Sequence, residues 1–297
     1  MRVLTLGING LLGSNVVTSA LDQNHEVFGT YHTTVPSFDI SMQQLDVTET
    51  DRVSEVVRSV DPDWVINCAA MTDVDGCERA PDRASEINAQ PMEALSEACS
   101  NSSARLLHVS TDYVFGGGQT GPYDELATPD PRQVYGRSKL AGEQIVRKQA
   151  QDPLIARLSF VYGIHRHSKS LAGFPAWLMS ALDENESVSL YTDQYVSPTR
   201  ASQAASTFME LIDEGLSGVF HVACRSCVTP YEFGRKFCKQ MSDDPAQMQQ
   251  GSLDDSTNIA TRPKNTCLDV GRVEEKLGRE QPTLMSDIDN LVRELDE

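Results

Sequence analysis

The glycines Gly7, Gly10 and Gly13 stand directly behind the short apolar run Val3-Leu4-Thr5-Leu6 and in front of a helical pattern from Leu11 to about Asp22. No other feature restricts the fold as much. In such a turn the first glycine lets the chain leave a strand tightly, the second lets backbone approach a pyrophosphate, and the third lets the next helix pack close to the sheet. The N-terminus of that helix then offers free N–H groups and a favourable dipole to an anion. The segment Gly7-Ile8-Asn9-Gly10-Leu11-Leu12-Gly13 therefore predicts an α/β fold of the Rossmann type with a doubly wound parallel sheet. Isolated glycine triplets also occur in ordinary turns that need positive φ, and the strand-to-helix context is what separates this one from them.

The segments that follow keep the same alternation. Strand-like runs at Glu26–Tyr31, Trp64–Asn67 and Ala104–Val109 are separated by helical patterns at Thr50–Ser59 and Ala84–Ser100. Such βα units build a parallel sheet with helices on both faces, and ligands bind at the carboxyl ends of its strands. A loop rich in glycine and proline, 116–132, leads to a helix from Tyr135 to about Gln149 and a strand from Leu154 to Phe160. Beyond this the pattern loosens into a helix at Phe174–Leu182, a turn at Ser197-Pro198-Thr199, a helix at Ser202–Asp213 and a strand at Val219–Val222. Two charged helices, Arg272–Leu277 and Met285–Leu295, close it. The expected division is a dinucleotide-binding core of residues 1–160, with returning segments at about 185–222, and a smaller mixed α/β lobe from 161–184 and 223–297.

With 43 acidic against 25 basic residues the net charge is −18, which disfavours nucleic acid and anionic membrane as partners. No apolar run approaches a membrane span, so the expected location is the cytoplasm. The seven cysteines do not read as a disulfide framework, and Cys224-x-x-Cys227, behind a strand and without a second pair, is expected to be two free thiols. Acids are absent from Pro153 to Leu182 and from three later stretches, where Arg157, Arg166, Arg200, Arg225, Arg262 and Lys264 fall instead. The expectation is that these bases line a site for an anionic substrate.

Tyr135 and Lys139 lie one helical turn apart on one face. A tyrosine is a poor proton donor or acceptor at neutral pH unless a neighbouring cation favours its phenolate, and Lys139 is such a cation. Ahead of them, Ser110 and Thr111 end a strand at the sheet edge, where a hydroxyl can bond a substrate carbonyl. A dinucleotide on the same edge makes carbonyl reduction the reaction class. Asp73 and Asp75 read as capping groups rather than metal ligands, and no metal is expected. A phosphate-binding role for His165-Arg166-His167 stands beside that of a solvated turn.

Several stretches match one family. Gly7–Gly13, Val65–Ala70 with Thr72–Asp75, Ser110–Phe115, Tyr135–Glu143, Asp193-Gln194 with Pro198-Thr199, and Arg262–Thr266 closely resemble the dTDP-4-dehydrorhamnose reductases, within the extended short-chain dehydrogenase/reductase superfamily. The resemblance implies that Thr111 bonds the C4 carbonyl, Tyr135 protonates the new alkoxide and Lys139 tunes the phenol. It places Asp46 and Val47 at adenine and Ala69, Ala70 and Thr72 along the cofactor, beside Gly7, Asn9, Gly10, Leu11, Leu12 and Gly13. Asp112, Tyr113, Phe160 and Arg262 join Thr111 in binding a nucleotide-sugar. Phe160 stands where the family often has tryptophan, and Val196 where it usually has glycine. The second strand ends Gly29-Thr30-Tyr31-His32 without an acid, so NADPH is admitted, with NADH possible. Rival readings are a sugar-nucleotide epimerase or dehydratase, disfavoured by Tyr113 at the position where dehydratases carry glutamate, and a non-catalytic subunit resembling that of methionine adenosyltransferase. A homodimer is left open.

Charge of this size repels itself in dilute solution and is screened by salt, which points to a protein adapted to high ionic strength. A higher melting midpoint is expected in molar potassium chloride than in dilute buffer, and equal midpoints would contradict this.

Overall fold

In chain order the strands are β1 (Arg2–Leu6), β2 (Glu26–Tyr31), β3 (Ser41–Gln44), β4 (Trp64–Asn67), β5 (Arg105–Thr111), β6 (Leu154–Leu158), β7 (Val161–His165), β8 (Ser170–Ala172), β9 (Val188–Tyr191), β10 (Thr199–Arg200), β11 (Gly218–His221) and β12 (Met248–Gly251). The helices are α1 (Leu11–Asp22), α2 (Thr50–Val60), α3 (Val74–Arg79), α4 (Pro81–Asn88), α5 (Pro91–Asn101), α6 (Val134–Gln149), α7 (Phe174–Asp183), α8 (Ala201–Asp213), α9 (Pro230–Met241), α10 (Gly271–Leu277) and α11 (Leu284–Asp296). The computed structural model describes residues 1–241 and 247–296.

Seven strands form the large sheet in the order β11-β6-β5-β4-β1-β2-β3, every pairing parallel. Its middle strands β4 and β6 are buried at every residue, as strands covered on both faces must be. One face packs on α1, α8 and α10 through Val16, Val17, Ala204, Phe208 and Val273, the other on α2, α5 and α6 through Val53, Val57, Met92, Leu95 and Val146. The chain lays β2 and β3 to one side of β1 and then crosses to β4 on the other. The crevice of a doubly wound sheet opens at that reversal, outside the carboxyl ends of β1 and β4.

The glycine turn sits in this crevice. Gly7 has φ +78°, and a Cβ on Gly13 would stand 2.3 Å from the Gly7 carbonyl oxygen, so α1 can approach the strand only with glycine at that position. Gly10 caps α1 with no side-chain hydrogen bond, and no acid occupies the first turn. The helix N-terminus is thus left for an anion.

A second lobe surrounds its own apolar cluster of Tyr162, Leu178, Leu190, Phe233, Phe237 and Ile288, contributed by β7, α7, β9, α9 and α11. Here β7 pairs with β8 and β10, and β9 pairs with β12. The chain returns to the large sheet through α8 and β11.

Several expectations need correction. The single helix at 84–100 is two, because Pro91 lacks an N–H and cannot continue α4; it opens α5 instead. The turn at 197–199 is extended, and Thr199–Arg200 adds a short strand to β7. Cys227 is bonded to Cys267 rather than free, because the fold brings residues 40 apart in sequence to a Cα separation of 5.5 Å; Cys224 remains a thiol. The bases of the acid-poor stretches do not line one site. Acids remote in sequence neutralise them: Glu143 for Arg157, Glu294 for Arg166, Asp287 and Glu294 for Arg200, Glu274 and Glu280 for Arg225. His165 donates from Nε2 to the Asn9 carbonyl at 3.0 Å and Arg166 binds Asn15, so this segment braces the glycine turn from behind.

Between α6 and β6, Glu143 and Arg157 form a bidentate pair at 2.9 and 2.7 Å with at most 1% exposure. Replacing one partner strands a buried charge, so Arg157→Met is expected to cost about 3–5 kcal/mol. Arg157→Met with Glu143→Leu should recover most of that loss in chemical denaturation; a double variant no more stable than the single one would contradict this account of the pair.

Candidate active site

Strand β5 delivers Ser110 and Thr111 to the sheet edge, and residues Asp112–Val114 turn in a single 3-10 helix. Thr111 Oγ1 accepts the Tyr113 N–H at 3.1 Å and donates to Asp112 Oδ1 at 3.0 Å. Helix α6 lies against this turn so closely that a Cβ on Gly136 would meet the Tyr113 carbonyl oxygen at 2.1 Å. That approach brings Tyr135 into hydrogen bonding with Thr111 and sets its ring edge-on to Tyr113, centroids 6.1 Å apart.

Burial dominates the ionisation of this group. It raises the Tyr135 phenol well above its ordinary value, the hydrogen bond from Thr111 opposes this, and the Asp112, Cys77 and Tyr113 charges add to it. The phenol therefore holds its proton at neutral pH. Lys139, one turn further and 2% exposed, is drawn down by burial to about 8, against the pull of Glu143 and Cys68. Burial likewise lifts Asp112 to about 6, against the lowering effect of the nearby Thr266, Ser159 and Thr111 hydroxyls. Ser159 Oγ donates to its Oδ2 at 2.7 Å.

These groups open onto a cleft of about 570 Å³ that also receives Gly10, Leu11, Leu12, Gly13, Ala70, Thr72, Asp112, Tyr113, Phe160 and Arg262. A second cleft of about 280 Å³ adjoins it through Gly10, Cys68 and Ala70 and holds Gly7, Asn9, Asp46, Val47 and Ala69. The residues that the resemblance assigned to cofactor, substrate or chemistry thus line one continuous channel across the crevice. Phe160 takes φ +48°, a conformation costly for an aromatic residue, at the point where β6 gives way to the second lobe. Its ring packs on Phe174 at 5.3 Å. Arg262 is the one base of the acid-poor stretches that reaches the channel, held by Asp75 at 2.9 Å. Asp73 caps α3 through the Gly76 N–H, and Asp75 also accepts the Ala260 N–H, so both serve as hydrogen-bonding groups.

A family model described as the RmlD substrate binding domain matches residues 1–297. A dTDP-4-dehydrorhamnose reductase of Mycobacterium tuberculosis H37Rv is 32% identical over 272 residues, 90% of this chain and 84% of that one. The chain belongs to the dTDP-4-dehydrorhamnose reductase family. The protein named probable low-salt glycan biosynthesis reductase Agl14 of Haloferax volcanii is 46% identical over 288 residues, covering 97% of this chain and 96% of its own. The structure of a dTDP-4-dehydrorhamnose reductase from Bacillus anthracis in complex with NADP superposes with a TM-score of 0.86 at 28% identity, covering 99% of each chain.

Other residues of this reductase line or brace the channel without having been assigned a role in it beforehand. His32, Thr33 and Arg83 edge the smaller cleft, and Phe174 and Val196 the larger one. Thr266 lies beside Asp112, and Gln194 beside the Tyr113 hydroxyl. The last two lie in stretches that matched the family, which was the available signal; Arg83, on α4, carried none. Val196 exchanges backbone hydrogen bonds with Val228 at 2.9 and 3.0 Å, so the substitution for glycine sits in a paired segment.

The folded protein holds a proton on Asp112 up to about pH 6, whereas the ordinary value is 3.8. Between these values the native state binds more protons than the unfolded one, so this group's contribution to stability falls as pH rises through the window and stays low above it. Asp112→Asn is therefore expected to raise the melting midpoint relative to the parent by several degrees more at about pH 7 than at about pH 4.5. A difference independent of pH would contradict the assignment.

Proposed function

We propose that the protein reduces the 4-keto group of a nucleotide-linked deoxy-sugar, with dTDP-4-dehydro-L-rhamnose as substrate and dTDP-L-rhamnose as product. NADPH, and secondarily NADH, supplies the hydride when bound. The observation that carries this reading is the juxtaposition of Thr111 and a protonated Tyr135 at the mouth of a dinucleotide-sized channel.

The residues fit such a cofactor. The uncapped start of α1 and the Gly7–Gly13 turn offer backbone N–H groups to a pyrophosphate, while Asp46, Val47 and Ala69 line the narrower cleft where an adenosine would lie. Strand β2 ends there without an acid, which admits a ribose 2′-phosphate, and Arg83, paired with Asp46 and Glu86, edges the same cleft. At the other end the Thr111 hydroxyl, which donates to Asp112 in the substrate-free site, turns its proton to the carbonyl oxygen of the substrate and orients it. As negative charge builds on that oxygen, the Tyr135 hydroxyl donates its proton to it; the bond to hydrogen at the phenol breaks as the new hydroxyl forms. Burial assists by keeping Tyr135 in its acid form. Asp112 anchors Thr111, and Phe160, Phe174 and Arg262 provide aromatic surface and positive charge for the nucleotide part of the substrate.

The product suits the assembly of surface glycans. The Haloferax relative, named for glycan biosynthesis, supports that setting, and the expected location remains the cytoplasm. Among the described residues no helix is long and apolar enough to cross a membrane.

Following the loss of reduced cofactor with 4-keto-6-deoxy sugar nucleotides tests the assignment. Tyr135→Phe is expected to lose roughly 10²- to 10⁴-fold in kcat while still binding NADPH. Turnover unaffected by that change would overturn the mechanism.

A further inference from the structure

Lys139 also has a neighbour behind the cleft wall that it lines. Its Nζ lies 3.5 Å from Nε2 of His108, a β5 side chain with no solvent exposure. The other ring nitrogen, Nδ1, stands 3.3 Å from Nδ2 of Asn67 on β4. The Asn67 amide is fixed in orientation because its Oδ1 accepts the Ala69 backbone N–H at 3.1 Å, and that N–H can only donate. Its Nδ2 therefore faces the ring, with the sulfur of Met92 as its other neighbour at 3.3 Å.

These constraints decide where the ring proton resides. An amide N–H donates, so Nδ1 of His108 accepts, and the single proton of the neutral ring sits on Nε2, aimed at Lys139. The lysine answers that proton with a lone pair, as a neutral amine. An ammonium in its place would set two donors against each other. Relief requires the ring proton to move to Nδ1, where it meets the Asn67 N–H, or the amide to turn against Ala69. Either move leaves a buried donor without an acceptor.

We propose that His108, held by Asn67, is a positioning residue that couples the charge on Lys139 to its own tautomer, so that the lysine exchanges a proton without the ring becoming cationic. On uptake, Nζ gains one proton and the ring proton passes from Nε2 to Nδ1; on release both moves reverse. The remaining groups that face Lys139 are Glu143 on its own helix, already bonded by Arg157 and Ser110, and Cys68 beyond β4. Burial and the neighbouring Lys139 hold the ring itself well below the usual histidine range, consistent with a ring that changes tautomer rather than charge. The inference rests on Lys139 being part of the reductase site, but its primary readout requires no turnover.

The test is a titration of protein with 15N-labelled histidine, from about pH 6 to about pH 10, reading the two His108 ring nitrogens together with the Lys139 amine. The coupling predicts the Nε2–H form above the lysine midpoint, the Nδ1–H form below it, and no imidazolium. Asn67→Ala removes the opposing donor, and it is expected to raise the lysine midpoint by about one pH unit, a tenfold change in the equilibrium. The corresponding limb of the kcat/KM profile should move with it. A single tautomer throughout, a ring that charges, or an unmoved midpoint in folded Asn67→Ala would overturn the proposal. Should the variant fail to fold, the titration of the parent protein decides alone. A tautomer switch in a protein without reductase activity would support the coupling and refute the proposed function.

Discussion

The close approach of α6 to the end of β5 is the contact on which the site depends. Gly136 leaves room for the Tyr113 carbonyl, and without that room the helix would stand off the sheet and carry Tyr135 away from Thr111. Two further features hold the helix in place. The Glu143–Arg157 pair ties its middle to β6, and Ser110 donates to the same carboxylate at 2.5 Å, so the strand that bears Thr111 and the helix that bears Tyr135 and Lys139 share one buried anchor. Scaffold and chemistry are coupled through it.

Burial is the second theme. It acts on each titratable group of the site in the direction that disfavours charge: upward for Tyr135 and Asp112, downward for Lys139 and His108. The phenol is thereby kept as an acid, and the lysine is brought towards the range in which it can exchange protons. The expectation from one-turn spacing was that Lys139 acts on the phenol directly. Among the described interactions the lysine instead faces His108, Glu143 and Cys68, and the hydrogen-bond partner of the phenol is Thr111.

Much of this was legible beforehand because it follows from local pattern. The glycine turn, the alternation of strands and helices, and the Tyr135–Lys139 spacing each report on a few neighbouring residues, and the fold reproduces them. The break at Pro91 was local and legible, but the other failures depended on contacts remote in sequence. Nothing near Arg166 or Arg200 announces that Glu294 will reach them, and nothing near Cys227 announces Cys267. The His108–Asn67 contact was hidden for the same reason. Both residues lie in strand segments that read as ordinary buried β-structure, and only the parallel register of β4 and β5, which sets Asn67 opposite His108, brings them together.

The central claim is that this channel carries hydride to a sugar carbonyl. Incubation with NADPH deuterated at nicotinamide C4 and a nucleotide-linked 4-keto-6-deoxy sugar, followed by mass spectrometry and NMR of the product, tests it most directly. A single deuterium on C4 of the sugar is the predicted result. Product without deuterium, or with deuterium at another carbon, would contradict it.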